Sequence, residues 1–152
     1  HHDIGWNYRY TNMQAALGLN QLKRINTIVK KKYEIGNYYY NHFKHIKNII
    51  LQPNSLTYCK NIYWVFGIVI KKNNKSKIED IVKKLANKNI GTRPFFWPMH
   101  KQDAFKNKSY FKNISLPNSE FIAKNGFYLP SGLGLNLNEL KFIKDTVIRI
   151  LK

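Results

Sequence analysis

Apolar positions fall first on a helical period. Met13, Ala16, Leu17, Ile25, Ile28, Val29 and Tyr33, with Asn20 on the same broad stripe and Leu22 beside it, recur mainly at three- and four-residue spacings. That is the pattern of a helix with one face turned to a core. Thr11 and Gln14 stand three apart at its start, a capping box in which hydroxyl and amide satisfy opposed backbone donors. One long helix from about Asn12 to His42 is predicted, preceded by an irregular approach over His1 to Tyr10. Gly18 and Gly36 each lower its propensity by about 1 kcal/mol relative to alanine, so each marks a candidate close approach by another helix or by a ligand.

Beyond Asn48 the pattern shortens to strands. Asn48 to Leu51 reads as a brief strand ended by Pro53 and a polar loop. Ile62 to Ile70 (IYWVFGIVI) is apolar on both faces, as in a central strand covered on two sides. Ser76 and Glu79 form a second capping box, opening a helix to about Asn87 with Ile78, Ile81, Val82 and Leu85 inward. Ile90 to Arg93 reads as a strand stopped by Pro94, and Phe127 to Leu129 as another. Asn118 or Ser119 caps a short helix into FIAKN. A last helix runs from Asn138 to Leu151, with Leu140, Ile143, Val147 and Ile150 inward. The order gives an α+β layer domain with a small antiparallel or mixed sheet.

Composition supports folding, since 43% hydrophobic and 14% aromatic residues exclude a disordered chain. A single cysteine, Cys59, excludes an internal disulfide and a cysteine-rich metal centre. No run of eighteen apolar residues and no signal-peptide pattern occurs, so no membrane partner is expected and a cytoplasmic setting is the default, a leader on a preceding segment staying open. The net charge of +18 raises nucleic acid as a partner. It comes, however, from 22 dispersed lysines and only 4 arginines, in a chain with 19 asparagines and 18 isoleucines. That is the drift of an A/T-rich genome more than a designed surface, and arginine, the residue of bidentate recognition, is scarce.

Scarcity draws attention to the arginines present. Asn7 and Arg9 approach a helix N-terminus, where free donors and the helix dipole favour an anion. An arginine fork and an asparagine amide can clamp a phosphate there. The plainer alternative has Asn7 capping a turn and Arg9 lying along the surface. Arg93 and His100 bracket RPFFWPMH, where two prolines stiffen a loop and Phe95, Phe96 and Trp97 can line a pocket for a planar or sugar ring. The alternative is an aromatic minicore closed by a surface histidine. His42 and His45 lack the further ligands that zinc needs, and no metal is expected. GLGLN is not a phosphate-binding P-loop, and neither G-x-S-x-G nor H-E-x-x-H occurs. Nothing composes a complete catalytic apparatus.

Taken together, GWNYRYTNMQAALGLNQLKRI, YWVFGIVI, NIGTRPFFWPMH and FYLPSGLGL resemble the C-terminal part of the DegT/DnrJ/EryC1/StrS family. The RPFFWPMH loop is most similar to that of its GDP-perosamine-synthase-like members. The family's enzymes are pyridoxal-phosphate-dependent aminotransferases acting on keto sugars, commonly nucleotide-linked. The resemblance implies the small C-terminal domain of an aspartate-aminotransferase-type fold, with residues 1–43 as approach and connector helix and 44–152 as the α+β unit. It implies a homodimer in which Asn7 reaches the cofactor phosphate of the neighbouring subunit. Arg9, Arg93 and His100 then face the substrate, supported by Tyr8, Thr11, Gln14 and Gly18. It also implies an amino donor such as glutamate. The Schiff-base lysine and the large cofactor-binding domain are expected to precede His1, which makes the chain a segment inactive alone. The alternatives are a basic nucleic-acid-binding module and a noncatalytic dimerisation protein derived from the enzyme.

Overall fold

The computed structural model describes residues 8–71, 77–103, 105 and 113–151. Helix α1 (Asn12–Lys23) opens on the expected box, with the Gln14 backbone N–H donating to Thr11 Oγ1 and the Thr11 N–H to Gln14 Oε1. The single long helix is instead two. At Arg24 (φ −104°, ψ 4°) the chain leaves helical geometry, its N–H bonding the Gln21 carbonyl three residues back, and α2 (Ile25–Phe43) begins afresh. No residue of α1 is buried, whereas α2 buries Ile35, Gly36, Tyr39 and Phe43.

Four short strands form one sheet: β1 (Ile49–Leu51), β4 (Phe66–Ile70), β5 (Arg93–Pro94) and β6 (Gly126–Leu129). Their spatial order is β1-β4-β6-β5 and every pairing is antiparallel, which resolves the choice between antiparallel and mixed. A separate two-stranded ribbon, β2 (Ser55–Leu56) with β3 (Cys59–Lys60), occupies what the sequence suggested was a polar loop. Helix α3 (Ile78–Ala86) precedes β5, α4 (Pro117–Asn125) leads into β6, and α5 (Leu137–Leu151) closes the chain. No described helix is long and apolar enough to cross a membrane.

The long strand expected over Ile62 to Ile70 shrinks to its second half. Tyr63 lies in the left-handed region (φ 52°), its N–H donating to Asn61 Oδ1, so the backbone turns before it extends. The ring is nevertheless fully buried, and burial pushes its hydroxyl pKa up to about 12. It packs over Gly36, where any Cβ would collide with the ring, so the approach marked by that glycine is made by a tyrosine rather than a helix or a ligand. Among the described residues nothing lies within 4 Å of a Cβ placed at Gly18.

The strand expected over Ile90 to Arg93 moves to Arg93–Pro94 because α3 ends in a Schellman turn. Asn89 takes φ 57°, Ile90 N–H reaches the Leu85 carbonyl, and Ile90 drops into the core. Proline is tolerated in β5 because this is an edge strand. Helix α4 starts at Pro117, with Leu116 rather than Asn118 or Ser119 as the cap residue, since proline presets the first helical φ. The Ser76 half of the second capping box lies outside the described residues, and Lys77 precedes α3 without a side-chain cap. Asn136 and Glu139 make an unforeseen box at the start of α5.

The sheet's two faces differ. Ile49, Phe66, Ile68, Ile70, Phe127 and Leu129 point to one side, where α2, α3 and α5 seal them. Ile50, Gly67, Val69, Gly126 and Tyr128 alternate onto the other. At one end of β4 and β6, α2 fastens the chain: Lys32 Nζ donates to the carbonyls of Trp64 and Ser131 at 2.7 Å each, and Tyr39 Oη to that of Pro130 at 2.9 Å.

Candidate functional site

The candidate groups lie in two places. Arg9 stands two residues before the α1 capping box in an exposed segment, flanked by Tyr8 and Tyr10 at 86% and 83% exposure. The box uses the Thr11 and Gln14 N–H groups itself, leaving the intervening donors of the first turn for an anion. Asn7 lies outside the described residues. Met13, Leu17, Leu19 and Leu22 are each more than 60% exposed along α1.

The other place is the second face of the sheet. Arg93 stands directly opposite Tyr128 in the β5–β6 ladder, so both project to the same side. Phe95 follows and lays its ring across Gly67 and Gly126. A Cβ on Gly67 would lie 2.6 Å from Phe95 Cζ, so both strands need glycine for the ring to seat. The ring also meets Tyr128 with centroids 4.3 Å apart. Burial raises the Tyr128 hydroxyl pKa above its ordinary value.

The loop then tightens into a 3-10 turn at Met99–Lys101. Trp97 Nε1 donates to the Lys101 carbonyl (3.2 Å), and Gln102 Nε2 returns a bond to the Trp97 carbonyl (3.1 Å). His100 is not a surface group. It is 5% exposed, with Nε2 2.9 Å from Glu120 Oε1 on α4. The same oxygen lies 3.4 Å from Lys101 Nζ and accepts from the Leu116 N–H at 3.4 Å. The bond from His100 holds the Glu120 carboxyl pKa below its ordinary value, with the Leu116 N–H and Lys101 adding to it.

Phe95 and Ile122 together separate two hollows on this face. One, of about 520 Å³, is walled by Phe96, Trp97, His100, Leu116 and Tyr128 among others. The other, of about 580 Å³, opens over Ile50, Gln52, Val69 and Phe121. The structure therefore gathers His100 and the aromatic loop around one cavity, with Arg93 on the same face as its wall. Arg9 belongs to a different region, ahead of a helix of which no residue is buried.

Two residues escaped the sequence reading. Glu120 is the sole carboxylate between Asp103 and Glu139 in a chain with eight acidic residues. Rarity of an acceptor amid so many cations was the signal available. Lys32 sits in the KKK run, where nothing separates it from its solvated neighbours. Its burial lowers its pKa below the ordinary lysine value.

The model of the DegT/DnrJ/EryC1/StrS aminotransferase family matches residues 1–148. GDP-perosamine synthase of Escherichia coli O157:H7 is 31% identical over 147 residues, covering 97% of this chain and 38% of that protein. Among solved structures, Helicobacter pylori PseC, an aminotransferase involved in the biosynthesis of pseudoaminic acid, aligns with a TM-score of 0.84 at 22% identity. That alignment spans 98% of this chain and 39% of PseC. The PLP form of the putative sugar aminotransferase Spr1654 from Streptococcus pneumoniae aligns at 0.82 and 20% identity, over 94% of this chain and 36% of that one. The chain thus spans under two fifths of each of these proteins, and the structural likeness at this identity is one of fold.

Proposed function

Since the chain belongs to the DegT/DnrJ/EryC1/StrS aminotransferase family, we propose that it is the C-terminal segment of a pyridoxal-phosphate-dependent enzyme that moves an amino group onto a nucleotide-linked keto sugar. In this reading residues 1–43 are the approach and connector, residues 44–152 are the small domain of an aspartate-aminotransferase-type fold, and the large cofactor-binding domain is a separate part of the enzyme. The observation that carries the reading beyond the family match is α1. A helix whose apolar residues lie on several sides and are all exposed is built to be covered by more protein. Its capped end presents Arg9 where a ligand of that larger assembly would sit. Nothing found favours the nucleic-acid-binding alternative.

Pyridoxal phosphate is the family's cofactor, and when bound it supplies the electron sink that lets an amino group leave one carbon and join another. The residues here fit a share in holding its phosphate: Asn7 acting across a homodimer, beside the remaining N–H donors of a helix start. The one described lysine that burial shifts does not fit the covalent role. A Schiff-base lysine must offer a free amine over the cofactor, but Lys32, the described lysine whose pKa burial lowers, gives its ammonium to two carbonyls. This segment's share of the work is therefore binding and orientation. Arg9 and Arg93 meet anionic groups of the substrate, and the loop around His100 holds an uncharged ring, with a donor such as glutamate supplying the amino group in the cytoplasm.

Borohydride trapping tests the reading. The 152-residue chain is mixed with pyridoxal phosphate, reduced, and mapped by mass. Scattered, substoichiometric labelling of lysines is expected. One lysine labelled stoichiometrically would place a catalytic centre within the chain and overturn the assignment of that lysine to another domain.

A further inference from the structure

The hollow walled by the aromatic loop contains one imidazole, that of His100, and the chemistry an imidazole offers depends on which nitrogen carries hydrogen. That choice is set by the partner of the other nitrogen. Here the partner of Nε2 is a carboxylate oxygen at 2.9 Å, and an ionised carboxylate only accepts. We propose that Glu120 is the positioning residue of this hollow: it fixes His100 as the Nε2–H tautomer in one ring orientation and ties the loop that carries it to the start of α4.

Convergence on a single oxygen supports the assignment. Glu120 Oε1 meets His100 Nε2, Lys101 Nζ and the Leu116 N–H, so one carboxylate joins the 3-10 turn, its lysine and the cap residue of α4. Helix α4 begins with Pro117, which brings no N–H, and the carboxylate reaches back to the Leu116 donor just before it. The bonds are charge-assisted, the stronger class. The imidazole is nearly closed off from solvent, which leaves its orientation to protein partners rather than to water. With Nε2 committed as donor, Nδ1 of the neutral ring is an acceptor, suited to a hydroxyl or N–H group rather than to a phosphate. Arg93, on the same face, is the complementary group for a phosphate. This inference rests on the reading of the hollow as facing ligand.

Long-range proton–nitrogen correlation of the histidine-labelled chain at pH 8.5, where free imidazole is neutral, reads the tautomer directly. The wild-type chain is expected to show His100 as Nε2–H. E120Q should keep it, because the Leu116 N–H and Lys101 hold the amide oxygen where the carboxylate oxygen was. E120L should show the averaged nitrogen shifts of an unconstrained ring. An Nδ1–H ring in the wild type, or an unchanged pattern in folded E120L, overturns the proposal, and the wild-type spectrum decides alone if E120L does not fold.

Titration with GDP as probe separates the two readings. A tenfold or greater loss of affinity in E120L, with less than twofold in E120Q, supports positioning of a ligand contact. Equal affinity in E120L and wild type overturns that role. GDP that shifts no resonance of the loop, alongside a Glu120-dependent tautomer, sinks the ligand reading of the hollow and leaves the control of His100 by Glu120 standing.

Discussion

The two faces of the central sheet are made from the same strands and built for different ends. On the inner face Phe66 is fully buried, with ring centroids 5.1 Å from Tyr39, 5.8 Å from Tyr63 and 6.1 Å from Phe43. On the outer face the neighbouring residues Gly67 and Gly126 have no side chains, and a phenylalanine from outside the strands fills the space. Density on one side gives stability; vacancy on the other gives a seat for a loop and two hollows beside it. The difference teaches that a strand apolar throughout need not face one uniform core.

Truncating the inner face should give the largest effect. Phe66→Ala removes a closely packed ring and is expected to cost about 3–5 kcal/mol in denaturant unfolding. A loss under 1 kcal/mol would mean that the inner face is not the denser one. Gly126→Ala should do less to stability, about 1–3 kcal/mol from overpacking, but more to the site. The new methyl collides with the Phe95 ring and sits 2.7 Å from the Ile122 carbonyl oxygen. Displacement of Phe95 should appear as altered Trp97 emission, and an unchanged spectrum in a folded variant would show the loop does not depend on that seat.

The inner face was legible because period carries it. Leu140, Ile143 and Val147 on α5 and Ile81 and Leu85 on α3 were named from spacing alone and all are buried. The outer face was not, because its logic is vacancy and reach. Gly126 drew no notice just ahead of the expected strand, and Glu120 touches His100 from twenty residues away. Backbone exceptions hid equally well. Tyr63 and Asn89 take positive φ, and each cut short or displaced a strand that pattern alone extended. Arg93 and His100 were singled out through the resemblance and the stiff aromatic loop between them, whereas their different surroundings, one exposed and one buried, needed the fold.

Smaller effects sharpen the contrast. Tyr39→Phe deletes the hydroxyl bond to the Pro130 carbonyl and should cost about 1 kcal/mol, seen as a lower denaturant midpoint with an unchanged slope. An unchanged midpoint would detach α2 from the end of β6. On the outer face, Glu120 gives an acid-side dependence. Its folded pKa is depressed, so in the window below the ordinary carboxylate value of 4.5 the unfolded chain binds the extra proton. Stability from this group is complete above that value and declines as pH falls through the folded pKa. The difference in melting temperature between wild type and E120Q should therefore narrow on acidification; a constant gap would mean that the carboxylate contributes nothing beyond its shape.

The smallest effect is expected where the exposed apolar surface is greatest. Leu17 is 66% exposed on α1, so Leu17→Glu should leave the unfolding free energy of this chain within about 0.5 kcal/mol of wild type. Leucine at the same apparent period on α5 behaves otherwise, since Leu140 is 6% exposed and its truncation to alanine should cost about 2–5 kcal/mol. The pair isolates burial from sequence pattern, because both residues lie on apolar helical stripes. A loss above 1 kcal/mol for Leu17→Glu would show that α1 already packs on the body of this chain. A silent substitution leaves Leu17 as surface that this chain does not cover, as the proposed larger enzyme requires, and the same change there should then weaken association with whatever covers α1 while leaving this unit folded.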